Sequence, residues 1–360
     1  MKKFLIFLTC VNICLSIVAV VLTVQKNNTV AVDSESIYSN DIGFVEDNSV
    51  TISVTAVGDC TLGTDVKFGL AYSFDNEVKT QNNNYSYFLN NVKPYFENDD
   101  LTIVNFEGTL SEGGARVDKQ FAFRGKPEYA KILSQGSVEA ANLANNHTKD
   151  YGIVALNDTF DILAKNDIVP FGMDTVEIKR IKGKKIGLIG TNALNYEGIT
   201  NFEKNLNKLK EQNPDLIIAS FHWGAESAST PDYNQIQLAH TAIDNGVDLV
   251  IGHHPHVIQG IEKYKGKYIL YSLGNFCFGG NTNPSDKDTL IFNQVFTFED
   301  DILIPDDKVT VIPCSVSSVV ERNNYQPTPV KQNQFERIKN KIVTRSKGFT
   351  GIENICFTQG

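Results

Sequence analysis

The stretch "VDLVIGHHPHVIQG" at residues 247–260 decides how this chain is read. "VDLVIG" (247–252) is short and apolar, as a buried strand is. The residues after it hold three of the six histidines of the chain, at positions 253, 254 and 256. A chain so poor in histidine that concentrates it at the end of a strand points to a site there, with a stacked structural turn as the plain alternative.

The same pattern recurs on either side. Short apolar runs stand at "TISVTAVG" (51–58), "LTIVNF" (101–106), "VEAANLA" (138–144), "KIGLIGT" (185–191), "DLIIASF" (215–221) and "YILYSLGNF" (268–276). Their length and content are those of strands. Helical patterns lie between several of them: 86–96, 126–136, 152–166 and 231–246, the last opening on Pro and ending at Asn-Gly. Strands alternating with helices predict an α/β architecture with buried sheets. "TLIFNQVFTFED" (289–300) and "DKVTVIPCSVSSV" (307–319) read as a hairpin closing one sheet edge.

Polar residues follow the apolar runs. "GD" (58–59), "NFEG" (105–108), "ANNH" (144–147), "HWG" (222–224) and "HHPH" (253–256) each end a strand. In open α/β sheets the loops at the carboxyl ends of strands gather into one crevice. Asp59, Glu107, Asn146, His147, His222 and the histidines of 253–256 are therefore expected to converge. Five of the six histidines lie in these motifs; His240, on a helix, is expected to be an ordinary surface or packing residue. Imidazole and carboxylate in one cleft suit a divalent transition metal such as Zn, Mn, Fe or Ni. Such an ion acts as a Lewis acid or activates water, and a pair of them clamps both oxygens of a displacement at phosphorus. Arg124, in "FAFRGKP", is a candidate for bidentate contact with an anionic substrate group, and Trp223 either walls the pocket or packs in the core.

Seven motifs taken together, "GDCTLG", "NFEGTL", "FAFRGKPEYAKIL", "ANLANNHTKDYG", "FHWG", "GHHPHVIQGIE" and "YSLGNF", resemble the CapA-type capsule synthesis family, associated with poly-γ-glutamate production. The resemblance covers roughly residues 51–280. It implies a calcineurin-like metallophosphoesterase fold, with two packed β-sheets flanked by helices. It also implies roles. Asp59 opens the metal site, although the histidine of the superfamily's D-x-H is replaced by Thr61. Glu107 stands for the bridging carboxylate, Asn146 for the metal-binding amide and His147 for the histidine that aids protonation. His222 stands for the isolated metal-binding histidine and His256 for the closing one. The last role is divided between His253 and His254, with His254 taken as the ligand of the H-x-H spacing. Asp59 and His147 are the expected catalytic residues. The metal is a divalent ion (Mn, Zn, Fe or Mg), and the missing histidine favours one ion, or two of unequal affinity.

The rest of the chain sets the context. "MKK" precedes an uncharged run at 4–24, about 31 Å long as a helix and long enough to cross a bilayer core. No A-x-A cleavage site follows it. An uncleaved signal anchor (1–26) is therefore expected rather than a cleaved signal peptide, with Lys2 and Lys3 inside. The polar stretch 27–50 reads as a linker, 51–320 as the folded domain, and 321–360 as a further linker and a basic terminal segment. The expected location is the cell membrane, single-pass, with the domain extracytoplasmic. Scattered Cys60, Cys277, Cys314 and Cys356 support neither a disulfide framework nor a zinc-thiolate site, leaving only a Cys314–Cys356 bridge open.

With 360 residues, a formal net charge of −9 and 41% hydrophobic residues, the chain carries one large core or two modest ones and no basic stripe for nucleic acid. Three functions stay open. One is a capsule-polymer synthesis or export factor acting on an anionic polymer, beside membrane subunits of a synthesis complex. The second is an extracytoplasmic phosphoesterase. The third is a non-catalytic subunit binding polymer or partners.

Overall fold

The computed structural model describes residues 49–305 and 308–360. The expected membrane run at 4–24 and most of the linker after it lie outside the described residues. Among the described residues, no helix is long and apolar enough to cross a membrane.

Short apolar runs, buried on both faces, build two sheets. The first contains β1 (Val50–Thr61), β2 (Leu101–Phe106), β3 (Ala140–Asn142) and β4 (Val169–Phe171), all parallel neighbours in that order. The second contains β5 (Glu177–Ile181), β6 (Lys184–Asn192), β7 (Leu216–His222), β8 (Leu249–His253), β9 (Ile261–Tyr264) and β10 (Lys267–Leu270). Its order is β9-β10-β8-β7-β6-β5, with β6, β7, β8 and β10 parallel. The first sheet continues with β11 (Asn275–Phe278), parallel to the end of β1, and with β12 (Asp288–Glu299), β13 (Val309–Ser315) and β14 (Thr328–Pro329).

Every second residue faces the other sheet. Ile52, Val54 and Ala56 of β1 and Leu101 and Ile103 of β2 share one buried cluster with Leu216 and Ile218 of β7 and Leu249 and Ile251 of β8. The period of two thus presses the sheets face to face. The alternate residues face helices. Ile217, Ala219 and Val250 pack with Phe202, Leu206 and Ala239. Val104 and Ala141 pack with Ile132, Leu133 and Leu163. These helical residues belong to α1 (Ala130–Gln135), α2 (Gly152–Ala164), α3 (Tyr196–Lys210) and α4 (Tyr233–Asp244). The result is a mixed α/β sandwich with helices outside.

Three expectations change. The pair 289–300 and 307–319 is antiparallel as expected, but β12 lies between β1 and β13 and is not an edge. Leu290 and Phe292 face the inter-sheet core while Ile291 joins the helix side, so both faces of β12 are covered. The 86–96 helix is broken into a turn at Tyr85–Tyr87 and a short helix at Lys93–Phe96. Pro94 fits a first helical turn and not a helix interior. The stretch 321–334, read as a linker, is folded onto the domain. Tyr325 is fully buried, its ring 5.1 Å from that of Phe74, and Asn324 accepts from the Ser318 backbone. Its polar composition satisfies turns and does not signal a solvated tether. The basic segment after it is α5 (Gln332–Arg345), whose Phe335, Ile338 and Ile342 close the inter-sheet core. No Cys314–Cys356 bridge forms: both thiols are free, Cys314 buried and Cys356 exposed.

Candidate metal centre

The carboxyl ends of β1, β2, β3, β7 and β8 stand level. Asp59 pairs in register with Asn105, and Asn105 with Asn142. In the other sheet Asn192 pairs with His222, and His222 with His253. Two glycines permit the close approach. A Cβ on Gly58 would lie 2.0 Å from the Gly274 carbonyl oxygen, and one on Gly252 would lie 2.2 Å from that of Tyr271. Glycine in "GD" and "GHHPH" is thus a packing requirement of the sheet ends.

Asp59 is a fully buried hub. Asn142 Nδ2 donates to Asn105 Oδ1 (3.0 Å), and Asn105 Nδ2 donates to Asp59 Oδ1 (2.9 Å). The His254 backbone N–H donates to Asp59 Oδ2 (3.3 Å). Nδ1 of His253 lies 3.2 Å from Oδ1, and Nδ1 of His256 lies 3.2 Å from Oδ2. Burial works against this carboxylate, but the two imidazoles packed against it, His253 and His256, outweigh it and hold the Asp59 pKa well below the usual value.

Glu107 is also fully buried, but among the described residues neither of its oxygens has a hydrogen-bond partner. Around its Oε1 stand three imidazole Nε2 atoms: His147 at 3.7 Å, His256 at 3.8 Å and His222 at 3.9 Å. These distances are too long for hydrogen bonds and suit ligands gathered about an ion. Glu107, His254 and His256 also offer one donor atom each within 4.8 Å of one another. A carboxylate buried without partners is costly, and a cation answers that cost. Without one, burial pushes the Glu107 carboxyl up to about 8, against the opposing charge of His256 and with the charges of Asp59 and Asp150 adding. Burial lowers His254 to about 4 and His222 well below its usual value. The residues present therefore fit a divalent ion, and a set rich in imidazole suits Zn, Mn or Fe better than Mg.

Asn146 joins the centre through Oδ1, 2.8 Å from His222 Nε2. His147 is held from behind. Its Nδ1 lies 2.7 Å from Asp150 Oδ2, so Nδ1–H donates there and the Nε2 lone pair faces Glu107. Lys119 Nζ closes this side with Asp150 Oδ1 at 2.5 Å and the Asn146 carbonyl at 3.0 Å. The Lys119 segment is pinned by Arg116, whose Nε and Nη2 grip Asp65 at 3.0 and 2.6 Å. Phe123 lays its ring 4.5 Å from that of His147.

All the strand-end residues expected to converge do so, and the choice among the three histidines is resolved in part. His254 and His256 face Glu107, while His253 lies against Asp59. Asp59 spends its oxygens on protein groups and orients His256, whose Nδ1 also lies 2.9 Å from Asn275 Oδ1. Arg124 does not join the cluster. Its neighbour Phe123 faces His147, and its own guanidinium sits 4.0 Å over the Tyr151 ring and donates to the Gly113 carbonyl. Trp223 is core: its ring stacks 4.8 Å from Phe221, and Nε1 donates to the Tyr271 carbonyl. His240 pairs with Glu262 at 3.0 Å, away from the site. Sequence reasoning missed Asp150, Asn105 and Lys119. Asp150 carried a usable signal, an acid three residues after His147 in a turn; Lys119 carried none.

The chain has relatives among known proteins. Residues 53–280 match the family described as "Bacterial capsule synthesis protein PGA_cap", and the chain belongs to that family. Among curated relatives, it is 31% identical over 265 residues to "Capsule biosynthesis protein CapA" of Bacillus anthracis, covering 66% of this chain and 62% of that protein. It is 30% identical over 265 residues to "PGA biosynthesis protein CapA" of Bacillus subtilis, covering 67% and 64%. A "Probable polyglutamine synthesis accessory protein" of Mycobacterium tuberculosis is 26% identical over 288 residues, covering 68% of this chain and 75% of that one. The match thus spans less than two thirds of the length of the two Bacillus relatives.

Proposed function

We propose that this protein acts in the synthesis or export of an anionic, amide-linked capsule polymer of the poly-γ-glutamate type, through a metal-dependent pocket of a calcineurin-like fold held outside the cytoplasm by an N-terminal anchor. One observation carries the metal-dependent part: Glu107 is buried with neither oxygen bonded and is ringed by imidazole nitrogens. The names of the relatives carry the polymer. Glu107, His254 and His256 would hold the ion, with His222 and Asn146 beside them. A divalent ion so held supplies Lewis acidity.

The chain's own residues do the rest. Asp59 and Asn275 fix the His256 ring through Nδ1. Asp150 fixes the His147 tautomer, which presents a lone pair to the centre for taking a proton from a reacting group. Phe123 covers one face of that imidazole and limits water there.

The test is polymer production in cells whose chromosomal copy is deleted. Complementation with the wild type should restore surface polymer, measured as glutamate released by acid hydrolysis. Complementation with His147→Ala at equal protein level should not. Undiminished polymer in the deletion strain, with phosphoester hydrolysis by the purified protein, would replace this reading by that of a phosphoesterase.

A further inference from the structure

Beside the metal centre lies a cavity of about 320 Å³ that sequence reading did not anticipate. It opens on Asn146, whose Oδ1 is 2.8 Å from His222 Nε2, so anything bound there abuts the candidate ligands. Its far wall is the end of β6 and the first turn of α3, and the β6–β7 register sets Asn192 of that wall beside His222. The size is at the lower end for small-molecule sites, which run from about 300 to 1,000 Å³.

The lining is polar and mixed in charge. Asn146, Asn192 and Asn201 offer amides, Lys149 a cation, Asp174 and Glu197 two anions. Lys149 is exposed and makes no ion pair among the described residues. Asn192 spends Oδ1 on the Leu194 N–H, which leaves its amide N–H groups for a ligand. A surface built only to hold a polyanion would carry several cations and no acids. One cation, two acids and several amides instead match a group that carries an ammonium, a carboxylate and an amide together.

Building on the proposed polymer function, we propose that this cavity is a subsite for the free amino end of an amide-linked glutamyl chain. The chain's terminal ammonium lies toward Asp174 and Glu197, its carboxylate toward Lys149, and its first amide against the asparagines. The centre would then act at a chain end, with the first amide link next to the ion, rather than along the interior of the polymer.

Binding of γ-glutamyl-glutamate to the full chain, read by calorimetry, tests this, with the N-acetylated dipeptide as the paired probe. The three charged residues are exposed, so their substitution leaves the core alone. The free dipeptide should bind at least roughly tenfold tighter than the acetylated one, the scale of one charge-assisted hydrogen bond. Asp174→Asn with Glu197→Gln should erase that preference, and Lys149→Gln should weaken both probes. Equal binding of the two probes by the wild type, or a preference untouched by the double variant, would overturn the subsite while leaving the polymer reading in place. Binding of neither probe would overturn the subsite and count against the polymer reading as well.

Discussion

Glu107 and His147 differ in how they are held, and the difference predicts different failures. Among the described residues the Glu107 oxygens find no hydrogen-bond partner, whereas His147 has Asp150 behind it. His147→Ala should therefore keep the metal and lose polymer production, in the range of about 10²–10⁴-fold for a lost acid–base group. Asp150→Asn should lower the same output with metal content unchanged, because the imidazole loses the partner that fixes its tautomer. Metal stoichiometry and polymer yield on the same preparations separate the cases. A His147→Ala protein that is both metal-replete and fully active would make the pocket a binding site only. The choice between His253 and His254 was not legible in the sequence. His253 is still in the extended strand and turns to Asp59, while His254 and His256 adopt positive φ, +94° and +58°, which swings them toward Glu107. Such backbone is uncommon outside glycine, although histidine takes it more readily than most residues, and it costs about 1–3 kcal/mol per residue. Only the folded context imposes it.

At the scale of elements, β12 and the β2–β3 edge give separate tests. Phe292 is fully buried in the inter-sheet core on a strand covered on both faces. Phe292→Ala should cost about 3–5 kcal/mol, read from urea midpoints at constant slope. A loss below about 1 kcal/mol would mean that the strand lies at an edge, as its sequence suggested. Glu139 receives the Thr102 N–H at 2.8 Å, and burial raises its pKa from 4.5 to about 7. The folded state thus keeps a proton that the unfolded chain has released. The corresponding stability is fully present below pH 4.5 and is lost as pH rises through about 7. Relative to wild type, Glu139→Gln should therefore gain stability between pH 5 and pH 8. A pH-independent difference between the two proteins would remove Glu139 as the cause. The strands with contiguous apolar runs were legible because their period and length are local properties. The order of β12 in the sheet was not, since pairing with β1 joins residues more than two hundred positions apart.

For the whole molecule, the site was readable because each of its residues sits next to the strand that delivers it. "GD", "NFEG", "ANNH", "HWG" and "HHPH" are local words, and the parallel sheets bring them together. The fold of 321–334 onto the domain was not readable, because asparagines that close turns look like those of a tether. The charge-free run behind Lys2 and Lys3 predicts that protease added to cells with a permeable wall removes the 51–360 domain from the membrane. Protection of that domain, or a soluble form cleaved near residue 25, would reject the anchored topology. Glu107 and its histidines are proposed to hold a divalent ion. Elemental analysis of the purified wild type, Glu107→Gln and His256→Ala tests it most directly. The wild type should carry a divalent ion and both variants should lose it, with a chelator lowering the melting temperature of the wild type alone. An ion-free wild type whose melting is unmoved by Mn, Zn, Fe or Mg would contradict it.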